Sequence, residues 1–563
     1  MQSALEAAAS AGGIAVVAVW PNTPGPDNPT GVHYENVVVH SSVRLQGVGP
    51  GGRYADGGVV AGSVLDGRSF GIDNPSGTAW LDLVASIPHA GPAAVPDGAV
   101  VTVLARDNQF VATNAPTLDG FRITGGNQSD FAGNVNDVTG GVHTPYGAPG
   151  AVVTQGGGIY LHGAARWTKI TDNVIVANSG SYGGAVRVGT PYLNTRNDHV
   201  TIARNQIRDN GGTNLAGAIG IFAGSNAYSV DHNAICGNFS AEYGGGISHY
   251  GLSYNGRIAA NRIWLNQSYD EAGGIMVAGE LPPDPAQLSP GSGAVEIDGN
   301  VVEANLANDD GGGVRLLQAG NVPISVTNNV VVDNISTHEG GGVALDDAPD
   351  VRMVNNTVAG NLTTATAATS TGRAAPAGLS TAANSDQLQA TLPDGAPTFS
   401  KPKLFNNIFW DNRAGEWNGV YVSGIGAADA PAGDPVRNWD MGSADGVGPL
   451  SPTNSVLQTT TGTSLSGTNR VGLDPRFVSP FPVSVSIQTS RTFPSFRQAV
   501  IVLQQLPLTG MGDYHLSGAT SSASNLGVPS RTYGTFTVTA PARDIDGQLR
   551  STSRPDSGAD EIP

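Results

Sequence analysis

Apolar and polar residues alternate along most of the chain in runs of three to five residues. No pattern of helical crossovers lies between these runs, and each reads as a short strand. Ile258-Ala259-Ala260-Asn261-Arg262-Ile263 is typical, two strand-like runs meeting at an Asn. That Asn belongs to a recurring pair with four residues between its members. The pairs are Asn173/Asn178, Asn205/Asn210, Asn233/Asn238, Asn261/Asn266, Asn300/Asn305, Asn329/Asn334, Asn356/Asn361 and Asn407/Asn412. Their first members are 32, 28, 28, 39, 29, 27 and 51 residues apart, a period near 28 with two insertions. A second element keeps the same phase, small residues followed by Ile or Val. It stands at Gly156–Ile159, Gly183–Val186, Ala216–Ile219, Gly244–Ile247, Ala272–Ile275, Gly311–Val314 and Gly340–Val343.

Parallel strands without crossover helices pair only if the chain coils and each turn lies on the one before it, about 4.8 Å away, like residue over like. The pattern therefore predicts an all-β, right-handed parallel β-helix, a solenoid with Val and Ile inside and Asn amides stacked at the corners. Residues 1–12 read as an amphipathic helix capping the first coil, where an open strand edge would otherwise invite aggregation. The expected β-helix covers 1–430, with loops extruded at 127–150, 280–293 and 363–400. Residues 431–563 read as irregular last coils and a C-terminal cover.

Composition narrows the function. The 28 basic and 46 acidic residues give a net charge of -18, and only Lys169, Lys401 and Lys403 are lysines. That balance argues against nucleic acid, which needs a basic surface. No apolar run reaches the roughly 20 residues of a membrane span. Cys236 is the sole cysteine, so there is no intrachain disulfide, and it reads as an inward, inert thiol. The first residues lack the pattern of a signal peptide, and a processed or excised segment of an extracellular or cell-surface protein is expected. Oligomeric state is not legible.

The N-x4-N runs with Gly-Gly-Gly-[Ile/Val], the opening Gln2–Ala9 followed by Val38–Gly49, and the tail Asp544–Glu561 resemble the parallel β-helix repeat proteins of the pectin-lyase-like superfamily. The resemblance implies the fold. It leaves activity open, because that superfamily holds lyases, hydrolases, epimerases, adhesins and plain stalks. The runs that carry polygalacturonase, pectate lyase and alginate epimerase activity are missing here.

Candidate chemistry lies beside the Gly clusters. Successive units place Glu242, then Asp270 and Glu271, then Asp309 and Asp310, then His338 and Glu339 just before the glycines. Stacked carboxylates repel by about 3 kcal/mol at 5 Å and an effective dielectric near 20. They must reach solvent, hold a proton or share a cation. Asp270, Asp309, Asp310 and Arg315 are the expected catalytic set if the chain is an enzyme, with carboxylates as acid and base and Arg315 steadying a sugar carboxylate. An ion pair of Arg315 with the acids is the plainer alternative. Glu271, Asp309, Asp310 and Glu339 are the expected ligands of a Ca²⁺ ion. Tyr160, Arg187, His249 and Tyr250 are read as outward residues of a flat face that suits sugar rings. The expectation is a polysaccharide-binding β-helix that acts as a lyase or glycoside hydrolase, set against a structural or adhesive segment of a larger surface protein.

Overall fold

The structure is a computed structural model that describes residues 1–53, 56–71, 75–127, 155–481, 483–489, 500–505 and 512–562. The loop expected at 127–150 falls outside them from residue 128 on. The chain divides into two compact units, Met1–Asn261 with Ala278–Ala294, and Arg262–Val277 with Val295–Pro563.

Both units are parallel β-helix coils. In the first, Ile202 stands in register between Ile170 and Val230, and Ile207 between Ile175 and Ile235, all fully buried. In the second, Val302 lies between Ile263 and Val331, and Leu316 pairs with Leu345, again buried. One residue per strand repeats the same inward position in every coil, which is why β-branched side chains recur at one period. Ile235 takes the inward place that Cys236 was expected to fill, and Cys236 is half-buried beside it.

Within each unit the Asn pairs form two ladders. Asn205 shows the unit of construction. Its backbone N–H donates to Asn233 Oδ1 (2.9 Å), and its Nδ2 donates to Asn233 Oδ1 (3.0 Å) and to Ile170 O (2.9 Å). In the second unit one ladder runs Asn300, Asn329, Asn356, Asn407 and ends on Ser455 Oγ. The other runs Asn266, Asn305, Asn334, Asn361, Asn412 and ends on the Asp440 carboxylate.

The residue just before each ladder Asn makes the corner. Asp172, Ala177, Arg204, Asp209, Leu265, Ala304, Asn328, Asp333, Asn355 and Asn406 all have φ between 54° and 58°. Glycine supplies these angles only at Gly237, Gly299 and Gly360. A left-handed residue with a side chain costs about 1–2 kcal/mol, and the Asn amide offsets it by satisfying the peptide groups of the corner.

The helix at the start spans Gln2–Ala11 and buries Leu5 and Ala8. A second, Pro75–Ser86, was not expected; its Trp80 and Val84 pack on Val38 and Leu104. At the other end, the corner residues Asn328, Asn355 and Asn406 turn their amides outward. They donate to the carbonyls of Arg543, Asp556 and Val528, so the C-terminal segment is fastened along the coils. Asp544-Ile545-Asp546-Gly547 is a turn in which Asp544 Oδ1 accepts from the N–H of Asp546 and Gln548.

Asn329 is 1% exposed, and its side chain joins three coils through four hydrogen bonds, to Asn300 N, Asn300 Nδ2, Ile297 O and Asn356 Oδ1. Asn329→Ala strands the buried Asn300 N–H and Ile297 carbonyl, a cost of about 2–5 kcal/mol. Urea unfolding should read that loss in full, and an unchanged midpoint would remove the ladder as a source of stability.

Candidate functional site

The acidic residues before the Gly clusters of the second unit do stack. Asp309 N–H donates to Asp270 O (3.1 Å), Ala272 N–H to Asp310 O (2.9 Å) and Gly311 N–H to Glu339 O (3.1 Å). Arg315 stands between the inward Val314 and Leu316, so its side chain leaves by the opposite face, toward the row. Gly311 makes room for it: a Cβ there would lie 2.8 Å from Arg315 Cβ.

Arg315 is 3% exposed and holds the row together. Its Nε donates to Glu271 Oε2 (2.7 Å), and its Nη2 lies 3.3 Å from Asp310 Oδ2 and 3.7 Å from Asp346 Oδ2. The second cation is His338, whose Nδ1 is 2.9 Å from Asp310 Oδ1 and 3.1 Å from Asp309 Oδ1. Neither oxygen lies in line with the ring N–H, so the contact is electrostatic rather than a formed hydrogen bond. The 363–400 insertion reaches this row: Thr369 Oγ1 donates to Asp309 Oδ1 (2.8 Å), and the N–H and hydroxyl of Ser385 donate to Asp347.

The charges are unevenly held. Burial pushes the Glu339 carboxyl up to about 8, with Asp310 adding to it, and burial lifts Glu271 to about 7 against the pull of Arg315. Burial also works on Asp310, yet Arg315 and His338 outweigh it and keep that carboxyl below its ordinary value. Asp309 and Asp310 raise His338 above the ordinary imidazole value, more than reversing the effect of its burial.

Of the residues expected to be catalytic, Asp309, Asp310 and Arg315 therefore meet, while Asp270 joins the row through its carbonyl and the ion pair runs to Glu271 instead. Arg315 is engaged with protein carboxylates, the arrangement read from sequence as the plain ion pair. Of the four residues expected to hold Ca²⁺, Asp309 and Asp310 converge on His338 and Glu271 faces Arg315. His338 stood in the stacked row but was not counted among the ligands; its equivalence to Asp309 one period earlier was the available signal.

The residues expected to bind sugar lie in the first unit, and the flat open face does not exist there. Tyr160, Arg187, His249 and Tyr250 are 0%, 1%, 0% and 1% exposed. His249 pairs with Ile221, an inward position, because strict alternation from Ile247 turns Ser248 out and His249 in. Its Nδ1 accepts from Tyr228 OH, its Nε2 donates to the carbonyls of Gly251 and Ser292, and burial lowers its pKa to about 4. Arg187 does face outward, but Tyr160 and Tyr182 sandwich it, with 4.4 and 4.9 Å to the ring centroids. Gln155, Gly189 and Thr190 take its N–H groups. The 280–293 insertion covers Tyr250, which accepts from Leu281 N–H.

A separate cleft of about 220 Å³ lies in the second unit, lined by Trp410, Phe477, Phe481 and Tyr514 with Asp411, Asp474 and Arg476. No helix among the described residues is long and apolar enough to cross a membrane.

These features define a parallel β-helix protein with a charged row on one side of its coils. No family model matches the chain, and no curated protein does. Among solved structures it matches the Dettilon tailspike protein (gp208), with 13% identity and a TM-score of 0.30. The match covers 78% of this chain and 64% of that one, so the chain spans just under two thirds of the tailspike's length.

Glu280, at the start of the insertion, is a buried carboxylate that accepts from Tyr192 N–H, and burial raises it to about 7. A folded pKa above the unfolded one stabilises at low pH, and that contribution disappears as pH rises through 7. Between pH 5 and 7, wild-type stability should fall more steeply than that of Glu280→Gln, by up to about 1.4 kcal/mol per pH unit. Parallel slopes in urea unfolding would contradict this.

Proposed function

We propose that this chain is an extracellular or cell-surface β-helix protein that binds a polysaccharide at the acidic row of its second unit. One observation carries the reading: five acidic side chains (Glu271, Asp309, Asp310, Glu339, Asp346) share two cations, Arg315 and His338, while Asp309, Asp346 and His338 still meet solvent. Such a surface is rich in hydrogen-bond acceptors, and hydroxyls of a glycan are donors that fit it. It repels uronates. Arg315, the residue that would have steadied a sugar carboxylate, is buried against Glu271 and Asp310. The reading therefore favours a neutral or cationic glycan over a polyuronate.

Affinity electrophoresis through gels of neutral, cationic and uronate polysaccharides, run with chelator present, tests the reading. Retardation should occur with the first or second class and not with the third. Asp309→Asn/Asp346→Asn should weaken it about 10-fold or more, the loss of one or two hydrogen bonds to charged groups. No retardation by any glycan, or an unaffected double variant, would remove the row as a glycan site. Release of reducing ends, abolished in Asp310→Asn, would place hydrolysis on the same row; binding without release is the adhesive reading.

A further inference from the structure

The contact of His338 with two aspartates is poorly explained by a hydrogen bond and well explained by something between them. Nδ1 of His338 and one carboxylate oxygen each of Asp309 and Asp310 all lie within 4.8 Å of one another, with 2.9 and 3.1 Å from the nitrogen to the oxygens. Two ligands about 2.1 Å from one ion are about 3.0 Å apart at the right angles of an octahedral site and about 3.4 Å apart in a tetrahedral one. An ion on the lone-pair axis of the ring would place both oxygens about 45° off that axis. That is too far for a linear hydrogen bond, and Nδ1 is buried and makes none.

An independent feature points the same way. Glu339 is 6% exposed, and among the described residues its carboxylate accepts no hydrogen bond, although it faces Asp310, Arg315 and His338. Glu339 therefore brings to the edge of the trio a carboxyl group on which no protein donor sits. Arg315 cannot neutralise the whole row, because Glu271, Asp310 and Asp346 already share it.

We propose that Asp309, Asp310 and His338 form a site for a divalent first-row transition ion, with Glu339 as a further carboxylate at its edge. The mixed set of imidazole nitrogen and carboxylate oxygen suits Zn²⁺, Mn²⁺ or a neighbouring ion. Ca²⁺ takes six to eight oxygens and gains little from the ring. The chain supplies three ligands from two successive coils, so stacking the coils assembles the site. The remaining positions on the ion face the solvent side of the row, where Asp309 and His338 are partly exposed. The ion site stands whether or not a glycan binds, because it is read with metal alone.

Titration calorimetry of the chelator-treated protein with Zn²⁺, Mn²⁺ and Ca²⁺, without glycan, tests it. Zn²⁺ and Mn²⁺ should bind one per chain, with Ca²⁺ at least 10-fold weaker. His338→Gln should abolish the Zn²⁺ signal and Asp309→Asn should weaken it at least 10-fold, with both variants checked for wild-type circular dichroism and melting. His515→Gln removes the imidazole of the other trio of this kind among the described residues, His515 with Asp546 and Asp560, and should leave binding unchanged. The proposal is overturned by no binding of either transition ion to the wild type, by binding that survives in folded His338→Gln, or by binding that follows His515. Should His338→Gln fail to fold, Asp309→Asn decides the question by the same criterion.

Discussion

Everything in this protein depends on the amide of one asparagine reaching the asparagine of the next coil. Each ladder Asn uses its carbonyl for the backbone and amide of the previous coil, and its own Nδ2 for a carbonyl further back, as at Asn205 and Asn329. The corner residue before it sits at positive φ, an angle it would not keep alone. Ladder and corner are thus one device: the amide satisfies peptide groups that the sharp bend would leave bare. Because every coil bends at the same two places, equivalent residues are superposed and side chains act as columns. The acidic row, the inward Ile and Val stack and the docking line of the C-terminal segment are three columns of one construction.

That construction was legible, because a column repeats one residue type at one period. Asn pairs and Gly-Gly-Gly-[Ile/Val] clusters carry it, and the stacked acids near residues 270, 309 and 338 followed from it. The doublets Asn328-Asn329, Asn355-Asn356 and Asn406-Asn407 carried a further message that was not read. The second Asn of each builds the ladder and the first holds the C-terminal segment. Such a role depends on a partner some 120 to 215 residues away, and nothing local marks it.

The failures share a cause. Tyr160, Arg187 and Tyr250 were read as exposed because alternation assigns a side to each residue but cannot say what covers that side. Thr190, against Tyr160 and Arg187, and Leu281, against Tyr250, come from separate loops that cover the outer face. His249 was misplaced by one step of the alternation itself. Within the row, the choice of Glu271 over Asp270 as the partner of Arg315 is a matter of which side chain follows the bend after Ser268, a distinction that two adjacent acids conceal. The row shows what the β-helix offers chemistry. Groups from separate turns are brought within bonding distance without a pocket, and their charge is set by how many carboxylates must share each cation.

The register of the coils is the claim on which the rest stands, and cross-linking reads it directly. Glu296 and Ser325 are paired on neighbouring strands with their side chains away from the core, and parallel neighbours are close enough for a disulfide. In a background where Ser replaces Cys236, the pair Glu296→Cys/Ser325→Cys should oxidise readily to a species of altered mobility that reductant reverses. Glu296→Cys/Thr327→Cys, displaced by two residues along the same face, should remain reduced under the same conditions. Equal oxidation of both pairs, or oxidation of the displaced pair alone, would contradict the stacking from which every column in this structure is built.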